Sequence, residues 1–225
     1  MIVFVLLLSS LKFTENIITG HLAILFKCIY ENQEGILPML SGVFHLKTII
    51  QFSDTPCMCI QICSKTVSSL LLVIMDDAAK ACLELKVDEA SRLTELLSIA
   101  NEQGEASEGL LTYTVVELLD SLTNLSSLSV NKGLIIEAGI IKPLKSLVLN
   151  EIYSVQEKSL QLLWTLLSGS SLSNHLITDH LDLCFMLQFI RQNPSITLSL
   201  LAQSTLKTLY WDTPEGKGYS NTFVI

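Results

Sequence analysis

The stretch VNKGLIIEAGIIKPLKSLV, residues 130–148, constrains the fold more than any other part of the chain. It is rich in Ile and Leu, so most of it must be buried, yet Gly133, Gly139 and Pro143 interrupt it every few residues. One long helix would not tolerate a proline in its interior, and neither would a central strand. The stretch therefore predicts a short helix, a sharp corner and a second helix that begins at once.

Each boundary of this arrangement has a candidate residue. Asn131 is placed to cap a first helix over residues 132–138, and Gly139 supplies the left-handed corner that ends it. Pro143 falls in the first turn of the second helix, where its missing N–H costs little. A third helix is predicted to begin near Ser154.

Apolar residues at helical spacing recur through the second half of the chain. Within each stripe they fall mainly three or four positions apart, as on one face of an α-helix. The stripes are Val115, Leu118, Leu119, Leu122 and Leu125; Val155, Leu160, Leu163, Leu166 and Leu167; and Leu198, Leu201, Ala202, Leu206 and Leu209. Leu122, Leu163 and Leu206 occupy similar places and lie 41 and 43 residues apart. A period near 42 residues is typical of stacked helical repeats, so the pattern predicts an all-α fold.

Residues 124–168 resemble the armadillo-repeat family. The family pattern has Asn-Leu at the end of one third helix, Asn-Lys and Glu-Ala-Gly in the next first helix and its corner, and Val-Gln on the following third helix. The matching residues are Asn124, Leu125, Asn131, Lys132, Ile136, Glu137, Ala138, Gly139, Ile141, Leu144, Leu147, Val155 and Gln156. Ser159 stands where the family usually has Ala. The resemblance implies a right-handed α-solenoid of the armadillo/HEAT type with about four to five repeats.

The periodicity and the resemblance divide the chain into three parts. We expect residues 1–75 to hold degenerate N-terminal helical repeats, including a third helix over residues 55–72. Residues 76–211 are expected to hold armadillo-like repeats, interrupted by a polar loop at residues 101–109. Residues 212–225 are expected to form a C-terminal tail that leaves the solenoid.

The apolar N-terminus, MIVFVLLLSSLKF, leaves three interpretations open. Its uninterrupted apolar run ends at Leu8 and is too short to span a bilayer. It could be the core of a signal peptide, although no basic region precedes it. Residues 1–11 could also anchor the chain to a membrane, or form a buried helix that a partner or further repeats would cover. We expect the buried helix in a cytoplasmic protein, with secretion or membrane anchoring as the alternatives.

Composition argues against several functional classes. Hydrophobic residues make up 49% and charged residues 16% of the 225 residues, which repeats that cover one another explain without a membrane. The net charge of −8 disfavours nucleic-acid binding. The six cysteines form no paired CxxC motif, so we expect reduced core thiols rather than a metal site. Phosphate-binding and hydrolase motifs are missing from the sequence, so we expect no catalysis, cofactor or small-molecule substrate.

One cluster of residues keeps an enzymatic alternative open. His175, Asp179 and His180 are the types that bind a metal ion or work in a hydrolase. The two histidines are five residues apart, which places them off register on a helix. We therefore interpret them as solvated residues at a helix end.

The resemblance implies that the third helices line a concave groove that binds another protein. The polar positions predicted to face the groove are Glu117, Asp120, Ser121 and Asn124 on one unit; Lys158, Gln161 and Thr165 on the next; and Ser204, Lys207 and Thr208 on the last. Import receptors of the family carry a Trp and an Asn one turn apart on many third helices. Here Asn124 matches the Asn, but Asp120 stands where the Trp would be, and Trp164 is expected in the core.

The sequence therefore predicts a non-enzymatic protein–protein interaction scaffold or adaptor. Its partner would be a protein that presents an extended basic or polar segment to Glu117 and Asp120. The first alternative is a structural fragment of a longer solenoid with no groove ligand of its own. The second is a membrane-associated helical protein that uses residues 1–11.

Overall fold

The computed structural model describes residues 58–70, 83–108, 111–168 and 181–211. These ranges hold eight helices and one two-stranded sheet. The elements in chain order are α1 (Met58–Leu70), α2 (Val87–Gln103), β1 (Glu105–Glu108), β2 (Leu111–Thr114), α3 (Val115–Leu125), α4 (Ser129–Glu137), α5 (Ile141–Leu147), α6 (Tyr153–Leu167), α7 (Leu181–Ile190) and α8 (Ile196–Trp211). The predicted predominance of helix is confirmed for this part of the chain.

Several sequence-based predictions lie outside the described residues. They concern the apolar N-terminus, the cluster of His175, Asp179 and His180, and the tail at residues 212–225. Within the described ranges, no helix combines the length and the apolar character needed to cross a bilayer. The helix predicted over residues 55–72 is helical from Met58 to Leu70.

Four of the helices lie in a row. α1 packs against α3, α3 against α6, and α6 against α8. Each of these four helices also contacts one helix of a second set, which consists of α2, α5 and α7. α2 contacts α1 and α3, α5 contacts α6, and α7 contacts α8. α2 also contacts α4 and α5, so two helices of the second set, α2 and α5, touch each other.

The three predicted apolar stripes form the core of this row. Every residue of the stripes is buried, except that Val115 and Leu201 are half-buried and pack against the same core. The core is one continuous cluster through the described residues. Burial of Leu side chains at about 2 kcal/mol each makes these stripes a main source of stability.

The predicted corner between the two short helices is confirmed. Gly139 has φ +83, a conformation that an L side chain rarely adopts, and it follows directly on the end of α4. Pro143 is the third residue of α5, inside its first turn. The third helix, α6, begins at Tyr153, one residue before the predicted start.

The prediction for Asn131 is wrong. α4 begins two residues earlier, at Ser129, so Asn131 lies inside the helix and is fully buried. Its side-chain oxygen accepts a hydrogen bond from Leu85 N at 2.8 Å. Its amide nitrogen donates to Leu83 O at 3.0 Å and to Leu125 O at 2.9 Å. The carboxamide has both donors and an acceptor, so it joins the segment before α2 to the end of α3 instead of capping its own helix.

The polar loop predicted at residues 101–109 is also wrong. α2 continues to Gln103, Gly104 ends it with φ +91, and β1 pairs with β2 in antiparallel register from Glu105↔Thr114 to Glu108↔Leu111. Alternate residues of each strand are buried, which is the period of a strand with one covered face. Arg92 of α2 holds this hairpin, because its Nε and Nη2 lie 2.8 Å and 2.6 Å from Glu108 Oε2. The fold is therefore helical with a small inserted sheet.

Candidate protein-binding surface

The row of helices presents one side away from its buried stripes. We call the exposed and half-buried residues on that side of α3, α6 and α8 the row face. It includes Asp120, Lys158, Gln161, Trp164, Thr165, Ser204, Lys207 and Thr208. An ion pair links the first two helices of this face, with Lys158 Nζ 2.7 Å from Asp120 Oδ1. The two side chains are 32% and 20% exposed, so the pair is partly screened and contributes at most about 1 kcal/mol. Because the carboxylate already has a cation, Asp120 does not present an open negative charge to a partner.

Three of the predicted groove residues instead hold the protein together. Glu117 caps α3, since its Oε2 accepts hydrogen bonds from Thr114 N at 2.8 Å and Thr114 Oγ1 at 2.9 Å. Ser121 is fully buried and shares a hydrogen bond of 2.7 Å with Ser69 Oγ of α1. Asn124 donates its amide to Ser69 O at 2.8 Å. These side chains therefore join α1 to α3 and close the start of α3.

The predicted residues of α6 and α8 do reach the row face. Thr165 and Thr208 turn their hydroxyls back to the carbonyls of Gln161 and Ser204, at 2.8 Å and 3.0 Å. The side chains of Gln161 and Lys207 make no hydrogen bond within the described residues. The row face therefore offers an amide and an amine to a partner.

Trp164 is exposed, which corrects the expectation that it lies in the core. Its side chain is 43% accessible, whereas the preceding residue, Leu163, is fully buried. The α6 stripe explains this difference, because Leu160, Leu163 and Leu167 already fill the buried side and the next residue is turned about 100° away. Trp164 is one turn from Gln161, so an indole and a free amide lie together on the row face.

Buried polar groups cluster between α1, α2 and the hairpin. Lys65 Nζ lies 2.6 Å from Glu89 Oε2 and 2.6 Å from Glu84 O, and the Lys65 and Glu89 side chains are 3% and 0% exposed. Cys63 Sγ donates to Glu108 O at 3.2 Å. Burial raises the pKa of Tyr113 well above its ordinary value of 10.0, with Cys63 and nearby carboxylates adding to the shift.

Two further groups have shifted pKa values at the surface. The hydrogen bonds from Lys145, at 2.6 Å, lower the pKa of Asp182 and connect α5 to the start of α7. Partial burial lowers the pKa of Lys132, whose Nζ donates to Ser168 O at 2.5 Å. The contacts of Lys145 and Lys132 therefore each join two separate elements of the fold.

The described residues also bear on metal binding. No group of three His, Cys, Asp or Glu side chains in these ranges could hold a metal ion, and all four histidines lie outside the ranges. Cys63 and Cys184 are buried and take part in no disulfide bond.

Two corners of the fold make the same hydrogen bonds 43 residues apart. We call residues 148–153, between α5 and α6, the first corner, and residues 191–196, between α7 and α8, the second corner. Asn150 Oδ1 accepts from Ile152 N at 2.8 Å, and Asn193 Oδ1 accepts from Ser195 N at 2.9 Å. Four backbone hydrogen bonds also recur with both donor and acceptor shifted by 43 residues. Their N–H donors are Val148, Leu149, Asn150 and Gln156 at the first corner, and Arg191, Gln192, Asn193 and Ser199 at the second.

A side chain closes both corners in the same way. Gln156 Nε2 donates to Val148 O at 2.9 Å, and Ser199 Oγ donates to Arg191 O at 2.7 Å, again 43 residues on. This match was not predicted, although the 43-residue spacing of Asn150 and Asn193 in the sequence is a signal for it.

Comparison with known proteins shows a shared fold and no named function. No family model and no curated protein matches the chain. Among solved structures, it is similar to three engineered proteins studied by the Northeast Structural Genomics Consortium. Their TM-scores are 0.51, 0.56 and 0.53 at 18%, 16% and 17% identity, over 74%, 91% and 90% of this chain. The chain spans 63%, 47% and 79% of their lengths.

Proposed function

We propose that the protein is a non-enzymatic scaffold with an armadillo-like α-solenoid fold, which binds a protein partner through the row face. The observation that carries the proposal is the exposed indole of Trp164 beside the free amide of Gln161. A cytoplasmic location is part of the proposal.

Two features support the solenoid. The row of α1, α3, α6 and α8 has the neighbour-to-neighbour contacts expected when third helices of successive units stack. The first and second corners repeat one hydrogen-bond pattern at the 43-residue spacing already visible between Leu163 and Leu206. Both features are those of units of about 42 residues placed side by side.

The composition of the row face defines the partner. Trp is among the residues that dominate binding energy at protein interfaces, where it fills an apolar contact surrounded by polar groups. Asp120 and Lys158 neutralise each other, which leaves Gln161 and Lys207 to form new hydrogen bonds. The partner is therefore a polar protein segment with one apolar side chain to cover the indole, rather than a strongly basic peptide.

The test is proximity labelling with the full chain, comparing wild type with Trp164→Ala. If the partner binds through the row face, Trp164→Ala should lower the labelling of a defined set of proteins by about 30-fold or more. This is the loss of affinity expected for an interface residue that contributes about 2 kcal/mol. Phe189→Ala is the matched control, since it removes another exposed aromatic residue, 72% accessible, from α7.

Far-UV circular dichroism and thermal melting of both variants must match wild type. An unchanged set of labelled proteins with Trp164→Ala would contradict the proposal. That result would favour the alternative of a structural fragment of a longer solenoid, whose row face has no ligand.

A further inference from the structure

The first corner carries apolar residues that its fold does not require. Leu149, Ile152 and Tyr153 are 46%, 61% and 48% exposed within five residues of chain. The second corner makes the same turn with Gln192 and Ser195 in the places of Leu149 and Ile152. Ile196, 77% exposed, stands in the place of Tyr153. Since polar side chains suffice at the places of Leu149 and Ile152, the exposed Leu and Ile of the first corner serve something other than the turn.

Exposed apolar side chains cost solubility unless a partner covers them, and clusters of them mark interaction sites. The first corner is also rigid, because the hydrogen bonds of Asn150 and Gln156 hold it on both sides. A rigid surface loses little entropy when it binds, which favours affinity.

Negative charge flanks these apolar residues. Glu151 is exposed between Leu149 and Ile152, and Glu157 lies one turn into α6. Within the described residues, no cation pairs with either carboxylate, whereas the nearby Lys145 and Lys158 are engaged by Asp182 and Asp120. The second corner has Pro194 and Leu200 at the equivalent places, so the acidic flank is also specific to the first corner.

We propose that the first corner is a second docking site, separate from the row face, for a protein segment that presents Lys or Arg beside an apolar side chain. The apolar side chain lies against Leu149, Ile152 and Tyr153, and the basic side chain pairs with Glu151 and Glu157. This charge complementarity selects a basic partner.

The experiment selects binders from a phage-displayed library of random peptides against the full wild-type chain. The enriched peptides are then synthesised and titrated against variants. The polar-corner variant, Leu149→Gln/Ile152→Ser, gives the first corner the residues of the second and so keeps a turn that the protein already forms. The neutral-corner variant, Glu151→Gln/Glu157→Gln, removes the charge and keeps the shape. Ile196→Ser is the matched control, since it removes an apolar residue that is 77% exposed from the second corner.

The proposal expects enriched peptides in which Lys or Arg adjoins Leu, Phe or Tyr. It expects the polar-corner variant to bind them at least about tenfold more weakly, and the neutral-corner variant to bind more weakly and with less salt dependence. Ile196→Ser and Trp164→Ala should bind as wild type does. Retention of binding by Trp164→Ala separates this site from the row face, so either proposal can fail alone.

Three results would overturn the proposal. They are a selection without enriched peptides, enriched peptides that are acidic or uncharged, and binding that the polar-corner variant keeps. Sedimentation velocity tests whether a second copy of this chain occupies the first corner instead. A dimer that forms with wild type and not with the polar-corner variant, together with a selection that enriches no peptides, would assign the first corner to that second copy.

Discussion

Asn131 occupies a core position with a polar side chain, and its partners explain why. All three are backbone groups: Leu85 N–H and Leu83 C=O in the segment before α2, and Leu125 C=O at the end of α3, which also accepts from Leu128 N at 3.3 Å. Burial makes such groups costly when they lack a partner. One amide therefore joins Leu83 and Leu85, before α2, to Leu125, at the end of α3.

Replacing Asn131 with Ala should lower the free energy of unfolding by about 3 kcal/mol, because Leu85 N and Leu83 O lose their partner in the core and Leu125 O loses one of two. Urea denaturation followed by circular dichroism measures the change. Asn101→Ala is the control, since Asn101 makes one exposed hydrogen bond, to Ser146 Oγ at 3.0 Å, and should change stability by less than about 0.5 kcal/mol. Similar losses of unfolding free energy for the two variants would show that the buried hydrogen bonds of Asn131 contribute no more than the exposed one of Asn101.

At the scale of elements, short helices and turns depend on a few backbone positions. α4 and α5 have nine and seven residues, too few to be stable alone. Their direction is set by Gly139, the residue between them with positive φ.

Gly139→Ala should destabilise the protein by about 1 kcal/mol and lower the melting temperature by about 2–4 °C. A Cβ at this position meets nothing within 4 Å, so the cost is that of the backbone conformation alone. Gly139→Asn should cost less, because Asn adopts positive φ more readily. Scanning calorimetry of the two variants checks the order, and equal melting temperatures for Ala, Asn and wild type would contradict it.

The long helices and the Gly139 corner could be predicted from sequence, whereas the hairpin and several side chains could not. α3, α6 and α8 each carry five apolar residues in register, a signal repeated over three turns or more. β1 and β2 have four residues each, so their alternation is too brief to separate from a loop.

The candidate site was predicted in part for the same physical reason. The resemblance implied which helices line the groove, and spacing selected Gln161, Thr165 and Lys207 as polar positions on them. Spacing did not show that Ser121 and Asn124 turn toward α1, since this depends on how neighbouring helices meet. The outward position of Trp164, next to Leu163 of the α6 stripe, could have been predicted from the spacing. Burial of a single polar residue is a tertiary property that helical periodicity alone leaves open.

At the scale of the whole molecule, α1 is joined to the rest by a buried ion pair as well as by apolar packing. Lys65 of α1 and Glu89 of α2 are both almost completely excluded from solvent. Taking the two charges out of water offsets most of their attraction, but leaving one of them alone in the core is costly.

Lys65→Met should therefore destabilise the protein by about 3–5 kcal/mol, because the Glu89 carboxylate loses its cation. The double variant Lys65→Met/Glu89→Leu should recover a large part of that loss, since no unpaired charge remains. Urea denaturation of the full chain measures both. A double variant that is less stable than Lys65→Met would contradict this account and assign Glu89 a second role, through its 2.7 Å hydrogen bond from Lys86 N.

The two corners share one hydrogen-bond pattern 43 residues apart, so the chain could be shortened or lengthened by 43 residues between them. A cut before Asn150 and a join at Asn193 would remove 43 residues and still present the same Asn-centred turn at the junction. Duplicating the same 43 residues would add one turn of the same design. Duplication or loss of this segment would therefore keep the turn geometry at the junction.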